Sequence, residues 1–217
     1  MNLILASNSP RRRQLLSLFG WEFKVVPADV DESTREDEPP ADYVRRLAAA
    51  KARAVGAQVG ADGIIIAADT TVVDGAEILG KPVDAADAER MLNQLRGRSH
   101  QVLSALAVLR AADGRLLVDC CHTEVPMRDY DDAEMQNYIG SGDPMDKAGA
   151  YAIQHTGFHP VEKLSGCYAN VVGLPLCHLT RTLGALGIRS DEQIPAVCQS
   201  TLNYSCPAFE SILRERL

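Results

Sequence analysis

The 217-residue sequence lacks the features of membrane and secreted proteins. No apolar run approaches the length that a helix needs to cross a bilayer. The N-terminus has no charged region followed by a long apolar core and a cleavage site. We therefore expect a cytoplasmic protein with no membrane partner.

Positive charge and aromatic side chains are also scarce. The chain has 22 Lys and Arg against 29 Asp and Glu, a net charge of -7, and 5% aromatic residues. This balance argues against a broad nucleic-acid-binding surface, which needs basic and aromatic side chains. Any affinity for phosphate must come from local cationic clusters, so we expect a small-molecule partner and no nucleic acid.

Phosphate-binding loops rich in glycine, of the Walker or dinucleotide type, are missing, and so are internal repeats. The six cysteines form neither a C-x-x-C pair nor a regular framework. We therefore expect reduced cysteines that pack as apolar residues, in place of zinc sites or disulfides.

The first dozen residues instead predict an anion site of another kind. The apolar run 3–6 is typical of a strand buried on both faces, and Ser9 can cap a helix that begins at Pro10 and runs to Leu18. The N-terminus of a helix attracts anions, and Arg11–Arg13 add side-chain cations there. A capped surface helix with solvated arginines is an equally good interpretation of this stretch taken alone.

A second informative stretch is 63–71, an Ile-rich strand that is predicted to stop at Asp69. Open α/β sheets collect their functional residues at strand ends, so the Asp69 carboxylate is a site candidate. Its alternative is a cap or turn residue, but Thr70 and the residues after it favour an extended chain.

Three further charged segments are candidates for the same site. The acidic loop 29–33 suits a hard cation such as Mg²⁺, although solvated acidic loops are common. Asp42 is predicted to cap a helix that ends near Val55, and Lys51 in that helix is expected to extend to solvent. Lys81 lies in a tight Gly-Lys-Pro turn, where it can meet a phosphate or remain solvated.

The remaining pattern predicts alternating strands and helices, then a less regular tail. Residues 146–154 combine small residues, which allow close backbone approach, with an Asp, a Lys and a Gln that could read a base edge. Beyond residue 188 the pattern is lost except for a helical signal near 209–213. We therefore divide the chain into a domain of residues 1-188 and a C-terminal extension, 189-217. The other predicted elements are a strand at 21–26, a helix at 85–95 that Asp84 can cap, a helix from Asp131 or Asp132 to 139, and a helix from 174 to 186. The Asp113-Gly114 turn also predicts a hairpin of 100–109 with 115–125.

Several of these segments, in this order and spacing, resemble the Maf family of nucleoside triphosphate pyrophosphatases. The resemblance implies an α/β fold like that of inosine triphosphate pyrophosphatases, an elongated mixed β-sheet flanked by helices, with two lobes and a central cleft. It also implies hydrolysis of a nucleoside triphosphate to the monophosphate and pyrophosphate with a divalent cation, and a homodimer. The segments are Ser7–Arg12, Lys51–Arg53, Ala68–Thr70, Gly80–Pro82, Gly97–Val102, Asp146–Gln154 and Asn170–Pro175.

The resemblance also implies roles for individual residues. Asp69 corresponds to the proton acceptor, and Arg11, Thr70 and Gln154 correspond to positions associated with substrate choice. Residues 151–154 are similar to the branch that acts on dTTP and UTP. Together with the charge pattern, this assigns phosphate binding to Ser7, Ser9, Arg12, Lys51 and Lys81, and a Mg²⁺ or Mn²⁺ ion to Glu32 and Asp69.

Two alternatives stay open at this point. One is a pyrophosphatase for 7-methyl-GTP or another modified nucleotide, because residues 155–160 replace the family's Gly-rich turn beside the base pocket. The other is a non-hydrolysing nucleotide-binding regulator of cell division. The set of Asp69, Lys51 and Lys81 argues against the regulator, since binding alone needs no base.

Overall fold

The apolar run at the start of the chain forms a central strand, as predicted. In this computed structural model, which describes residues 2–215, strand β1 (Asn2–Leu5) is covered on both faces. Leu3 and Leu5 pack into one core, and Ile4 and Ala6 into another on the opposite face. This burial on both faces follows from the alternation of side chains along a strand.

Six strands form one mixed sheet, which confirms the predicted open α/β architecture. The order is β2-β1-β3-β5-β6, with β4 paired to β3 outside that path. β1 pairs in parallel with β2 and β3, and the other pairs are antiparallel. The strands after β1 are β2 (Lys24–Val25), β3 (Gly63–Asp74), β4 (Glu77–Leu79), β5 (Ser99–Arg110) and β6 (Arg115–Pro126).

Helices cover the sheet, and three of them begin after a side-chain cap. Ser9, Asp84 and Asp131 each accept a backbone N–H in the first turn of their helices. The prediction for Asp42 was wrong, because that helix begins at Pro40, whose fixed φ suits a first helical position. The helices are α1 (Pro10–Ser17), α2 (Pro40–Gly56), α3 (Ala85–Leu95), α4 (Asp132–Gly140), α5 (Tyr168–Val172), α6 (Leu176–Ala185), α7 (Ile194–Leu202) and α8 (Phe209–Arg214).

Three long strands connect two groups of core residues. β3, β5 and β6 have 12 residues each, so they extend roughly 40 Å. Their first-lobe segments pack with α1, α2, α5 and α6, and the other segments pack with α3 and α4. The sheet is thus elongated, with a lobe at each end and the candidate site between them.

Two strand predictions needed correction. Residues 21–26 were predicted as a strand, but only Lys24–Val25 pairs, because Trp21 and Phe23 pack against the core beside α1. β3 was predicted to stop at Asp69, but it runs to Asp74. The hairpin with β4 and the pairing with β5 hold the chain extended past the carboxylate.

The tail packs on the first lobe with two helices, of which the sequence predicted only α8. Ile194 of α7 is buried in the same core as β1, and Cys198 and Leu202 pack against that core. The Tyr204 hydroxyl donates a hydrogen bond to the Leu164 carbonyl at 3.0 Å. Signals for α7 were present, since a proline near its start and Asn203 after its end are common helix boundaries.

An ion pair joins the tail to the sheet. The Arg181 guanidinium of α6 donates to both carboxylate oxygens of Asp119 on β6, at 2.8–3.1 Å. It also donates to the Ile212 carbonyl of α8 at 3.1 Å and to Glu215 at 2.7 Å. The Asp119 side chain is 8% exposed, so its charge depends on Arg181 for compensation.

Arg181→Met is therefore expected to lower the free energy of unfolding by about 3–5 kcal/mol, because it leaves a buried carboxylate without its cationic partner. Arg214→Met is the matched control, since Arg214 is 80% exposed and pairs with Glu210 within one helix. Its expected effect is below about 0.5 kcal/mol. Urea unfolding of both variants measures the difference, and equal losses would refute the proposed anchor.

Candidate functional site

The site forms at a gap along one edge of β3. On that edge, β1 pairs with residues 63–66 and β4 pairs with residues 72–74. Among the described residues, the only strand that pairs with the intervening segment, 67–71, is β5. Asp69 and Thr70 lie in this segment, so their side chains can reach the cleft between the lobes.

Alternation along β3 sends these two side chains to opposite faces. Asp69 shares the face of Ile65 and Ala67, which packs against α2, where Lys51 lies. Thr70 shares the face of Ala68, on the side of α1 and α5. One strand therefore supplies a carboxylate to one wall of the cleft and a hydroxyl to the other.

Lys51 is buried, in contrast to its predicted extension to solvent. Its residue exposure is 8%, and its ammonium lies 2.6 Å from Asp69 Oδ1 and 2.5 Å from Glu32 Oε1. Val44, Ala48 and Ala52 of α2 pack on the sheet and hold Lys51 in this position. A buried lysine needs such partners, so its two carboxylates account for the difference from the prediction.

The two carboxylates differ in their pKa. Burial raises the pKa of Asp69 above its ordinary value, although the charges of Lys51 and Arg12 oppose this. Partial burial also acts to raise the pKa of Glu32, but the hydrogen bond and charge of Lys51 outweigh it and lower that pKa. Asp69 is therefore the stronger base of the pair.

The loop that carries Glu32 is fastened to α2. The Tyr43 hydroxyl donates to the Glu32 carbonyl at 2.9 Å. Burial, with the nearby charge of Asp69, raises the pKa of Tyr43 to about 12, so this phenol remains a donor at neutral pH. Tyr43 thereby positions an otherwise exposed acidic loop over the cleft.

The start of α1 forms the second wall. Ser9 Oγ accepts the Arg12 backbone N–H at 3.4 Å, and Ser7 Oγ accepts the Ser9 N–H at 3.2 Å. The Arg12 guanidinium turns inward, where it donates to Gly173 O, Ser7 Oγ and Thr70 Oγ1. Three of the five guanidinium N–H groups are thus used, which leaves two for a ligand.

Sequence reasoning missed the buried polar network behind Thr70. Its hydroxyl lies 2.8 Å from Ser104 Oγ, which donates to the Asn170 carbonyl at 2.9 Å. Gly173 completes the network with φ +119°, and a Cβ there would lie 3.3 Å from Thr70 Oγ1. The segment Asn170–Pro175 therefore holds Thr70 and Arg12 in place, which no local sequence signal indicated.

The second lobe approaches the site through the segment rich in small residues, as predicted. Gly149 has φ +67°, and a Cβ on it would lie 2.9 Å from Val72 on β3. Its N–H donates to the Gly80 carbonyl at 3.0 Å, which ties this segment to the turn that carries Lys81. Lys81 and Gln154 are both exposed on the cleft surface.

One ion pair crosses the cleft between the lobes. Arg11 Nη1 lies 3.4 Å from Asp146 Oδ2. The other oxygen, Oδ1, accepts from Lys147 Nζ at 2.6 Å. Arg11 and Arg12 are adjacent on α1 but point about 100° apart around the helix, so Arg11 faces the second lobe while Arg12 faces the first.

All ten residues predicted for the site line a single cavity of about 640 Å³. This volume lies within the range of about 300–1,000 Å³ that is common for small-molecule sites. Its lining holds five cationic side chains and three carboxylates, in a protein whose net charge is -7. The cations are Arg11, Arg12, Lys51, Lys81 and Lys147, and the carboxylates are Glu32, Asp69 and Asp146. The cavity therefore favours an anionic ligand.

The Glu32 and Asp69 carboxylates could also hold a divalent cation together with an anionic ligand of the cavity. Glu32 and Asp69 approach one point, the Lys51 ammonium, within 2.6 Å. No group of three His, Cys, Asp or Glu side chains suitable for a metal occurs within residues 2–215. Mg²⁺ is commonly held by one or two carboxylates together with substrate phosphates and water, which matches this pair.

His100 and Tyr151 form a buried pair under the wall of the second lobe. His100 Nε2 lies 2.7 Å from the Tyr151 hydroxyl, and burial lowers the pKa of His100 to about 4. An unfolded histidine has a pKa of about 6.5. Between pH 4 and pH 6.5, the unfolded state therefore binds more protons than the folded state. Stability therefore rises with pH through this window and is lost as the pH falls.

His100→Gln is expected to flatten this dependence, because glutamine can hydrogen-bond Tyr151 without titrating. Relative to the variant, the wild type should lose up to about 3 kcal/mol of unfolding free energy as the pH falls from 6.5 to 4. Urea unfolding across this window provides the measurement. His159→Gln, at an exposed position, is the control; identical slopes for wild type and His100→Gln would contradict the expectation.

Comparison with known proteins decides the family. The family model described as "Maf-like protein" matches residues 2–186. The chain belongs to the Maf family. The Maf-like region spans the whole cavity lining, from Ala6 to Gly173, and ends before α7.

Curated relatives of this Maf protein are identical to it at nearly half of the aligned positions. A protein of Citrifermentans bemidjiense named "dTTP/UTP pyrophosphatase" is 47% identical over 189 residues, which cover 86% of this chain and 97% of the relative. One of Geotalea uraniireducens with the same name is 49% identical over 186 residues, covering 86% and 95%. A solved structure from Mycobacterium abscessus, titled nucleoside-triphosphatase or dITP/XTP pyrophosphatase, covers 99% of this chain and 100% of its own, at 15% identity and a TM-score of 0.47. That last likeness is too weak to support a functional argument.

No helix within residues 2–215 of this Maf protein combines the length and apolar character that crossing a membrane requires.

All six cysteines are free in the structure. Burial raises the pKa of Cys120 to about 11 and that of Cys177 to about 12, so these thiols are poor nucleophiles at neutral pH.

Proposed function

We propose that this Maf protein hydrolyses dTTP and UTP to the nucleoside monophosphate and pyrophosphate. The observation that carries the proposal is the buried Lys51 ammonium, shared by Asp69 and Glu32 inside a predominantly cationic cleft. Binding an anion needs cations alone, whereas this cleft also holds a base of raised pKa. The names of the relatives support the choice of dTTP and UTP.

The triphosphate would bind along the first wall of the cleft. Ser7, Ser9 and the start of α1 offer hydroxyls and the positive end of the helix dipole. Arg12 offers its two remaining N–H groups, and Lys51 and Lys81 offset the charge that develops on the leaving pyrophosphate. The cations also neutralise a ligand that would otherwise be repelled by the acidic protein.

Asp69 would act as the base for the attacking water. Its carboxylate accepts a proton from water as the water oxygen bonds to the α-phosphorus. The bond from that phosphorus to the bridging oxygen then breaks, and pyrophosphate leaves with the electron pair. The raised pKa of Asp69 suits this step, because a stronger base accepts the proton more readily.

Glu32 and Asp69 would hold a Mg²⁺ or Mn²⁺ ion delivered with the nucleotide. When bound, such an ion polarises phosphoryl oxygens and neutralises charge in the transition state. Lys51 contacts both carboxylates in this structure and can compensate for their charge in the free enzyme. Tyr43 keeps the Glu32 loop near the cleft.

A substrate panel tests this proposal. We expect Mg²⁺-dependent release of pyrophosphate from dTTP and UTP, with slower release from CTP and 7-methyl-GTP. Faster turnover of 7-methyl-GTP would favour the modified-nucleotide alternative. Tight nucleotide binding without pyrophosphate release would favour a regulatory protein and would refute the proposed activity.

The following expectations stay predictions. They are a homodimer, the absence of a nucleic-acid or membrane partner, a cytoplasmic location, and the division of the chain into a domain of residues 1–188 and an extension. The contacts of Arg181 with both β6 and α8 support an extension that is fastened to the domain.

A further inference from the structure

The ion pair between Arg11 and Asp146 is unusual for its setting. It joins the two lobes across the mouth of the cleft, but its 3.4 Å separation is long, and the Asp146 side chain is 63% exposed. Such a pair contributes little to stability because water screens it. Its acidic partner is nevertheless held in place by Lys147, which points to a role other than holding the fold.

Asp146 is fixed from behind by Lys147. The Lys147 side chain is 9% exposed, and its ammonium contacts Asp146 Oδ1 at 2.6 Å and Asp143 Oδ1 at 3.0 Å. This leaves Oδ2 of Asp146 directed toward Arg11 and the cavity. Partial burial acts to raise the pKa of Asp146, but Lys147 and Arg11 outweigh it and lower that pKa, so the group is an anionic acceptor.

The pair therefore presents a hydrogen-bond donor beside an acceptor. Uracil and thymine carry the complementary pattern, a carbonyl oxygen next to the N3–H donor. Cytosine carries an acceptor at N3 and a donor at its exocyclic amine, which would oppose Asp146 and Arg11. Gln154 lines the same cavity and can offer an amide to the base.

We propose that Asp146 is a specificity-determining residue that accepts the N3–H of uracil or thymine while Arg11 donates to the neighbouring carbonyl oxygen. This assignment rests on the proposed function. Arg11 must leave part of its contact with Asp146 when the base binds, which the long and exposed pair permits. Lys147 then acts as a positioning residue that keeps Asp146 Oδ2 pointed at the base.

Asp146→Asn tests the assignment through a change in base preference. The variant should lower kcat/KM for UTP by about ten- to a hundredfold, mainly through KM, because the lost contact is remote from the reacting phosphorus. Activity on CTP should be unchanged or higher, because an amide can donate to cytosine N3. The ratio of UTP to CTP activity should therefore fall by at least tenfold.

Asp143→Asn is the matched control. Asp143 lies in the same short turn, and its carboxylate also contacts Lys147, but its other oxygen accepts from Tyr138 and it does not line the cavity. This variant should keep the wild-type ratio of UTP to CTP activity. An equal fall in both variants would assign the effect to the turn and refute base recognition by Asp146.

A measurement on the unaltered enzyme covers a variant that fails to fold. The 3-methyl derivative of UTP lacks the N3–H, so we expect its kcat/KM to be at least tenfold below that of UTP. Equal rates for the two nucleotides, or an unchanged UTP to CTP ratio in Asp146→Asn, would overturn the assignment and leave the proposed activity intact. Absence of pyrophosphate release from any pyrimidine nucleotide by the wild type would overturn both.

Discussion

Asp69→Asn is expected to slow pyrophosphate release by about 10²–10⁴-fold, the usual contribution of a positioned general base. The amide has nearly the same shape, and its oxygen can still accept from Lys51. It has no negative charge with which to accept a proton or hold a cation. The folded structure and nucleotide affinity should therefore change much less than kcat. Steady-state kinetics with dTTP and Mg²⁺ measure the loss.

Asp74→Asn is a suitable control for this variant. Asp74 lies on the same strand, five residues further on, and pairs with Arg98 outside the cleft. It should retain at least half of the wild-type kcat, because Asp74 and its partners Gln94 and Arg98 are not among the residues that line the cavity. If Asp69→Asn also kept near-normal turnover, Asp69 would have no part in the reaction.

Lys51→Met is expected to lower kcat by about 10²–10³-fold, the typical cost of removing one preorganised group that stabilises transition-state charge. Methionine approximates the lysine stem and packs among the same side chains of α2, but it leaves Asp69 and Glu32 without their shared cation. We also expect the pKa of Asp69 to rise further in this variant, since in the wild type the charge of Lys51 opposes the effect of burial.

Two comparisons separate these effects from a loss of folding. Arg53→Met changes an exposed cation on the same helix and should leave kcat within a factor of two. Higher Mg²⁺ concentration should not restore Lys51→Met, because an ion held by Glu32 and Asp69 does not replace an ammonium that offsets charge on the leaving pyrophosphate. Full activity of Lys51→Met would contradict the role given to the buried ammonium.

The sequence predicted those parts of the fold that depend on local signals. Ser9 before Pro10 and Asp84 before Ala85 predicted helix starts, and the alternation on either side of the Asp113-Gly114 turn predicted the β5–β6 hairpin. The apolar pattern of 3–6 also predicted burial on both faces of β1. These features need only the chemistry of neighbouring residues.

The errors involve residues whose structure is determined by distant parts of the chain. The apolar run of β3 ends before Asp69, but pairing with β4 and β5 continues the strand. Lys51 looked like a surface residue because its two acceptors lie 18 positions ahead and 19 positions behind in sequence. Arg12 likewise meets Gly173, which is 161 positions away.

The ten candidate residues came largely from the resemblance to the Maf family, and the structure places all of them around one cavity. The resemblance gave Arg11 and Arg12 different roles, but only the structure shows the physical division between the inward-facing Arg12 and the cleft-crossing Arg11. That division follows from the helical rotation between neighbouring residues and from the position of Asp146 on the second lobe.

Hydrolysis of dTTP in ¹⁸O-labelled water tests the central claim most directly, because it identifies the phosphorus that water attacks. Attack at the α-phosphorus from the Asp69 side of the cleft predicts that the label enters dTMP and that pyrophosphate is unlabelled. The Asp69→Asn variant should give the same pattern at a greatly reduced rate. Label in pyrophosphate, or release of orthophosphate with dTDP, would contradict the proposed reaction.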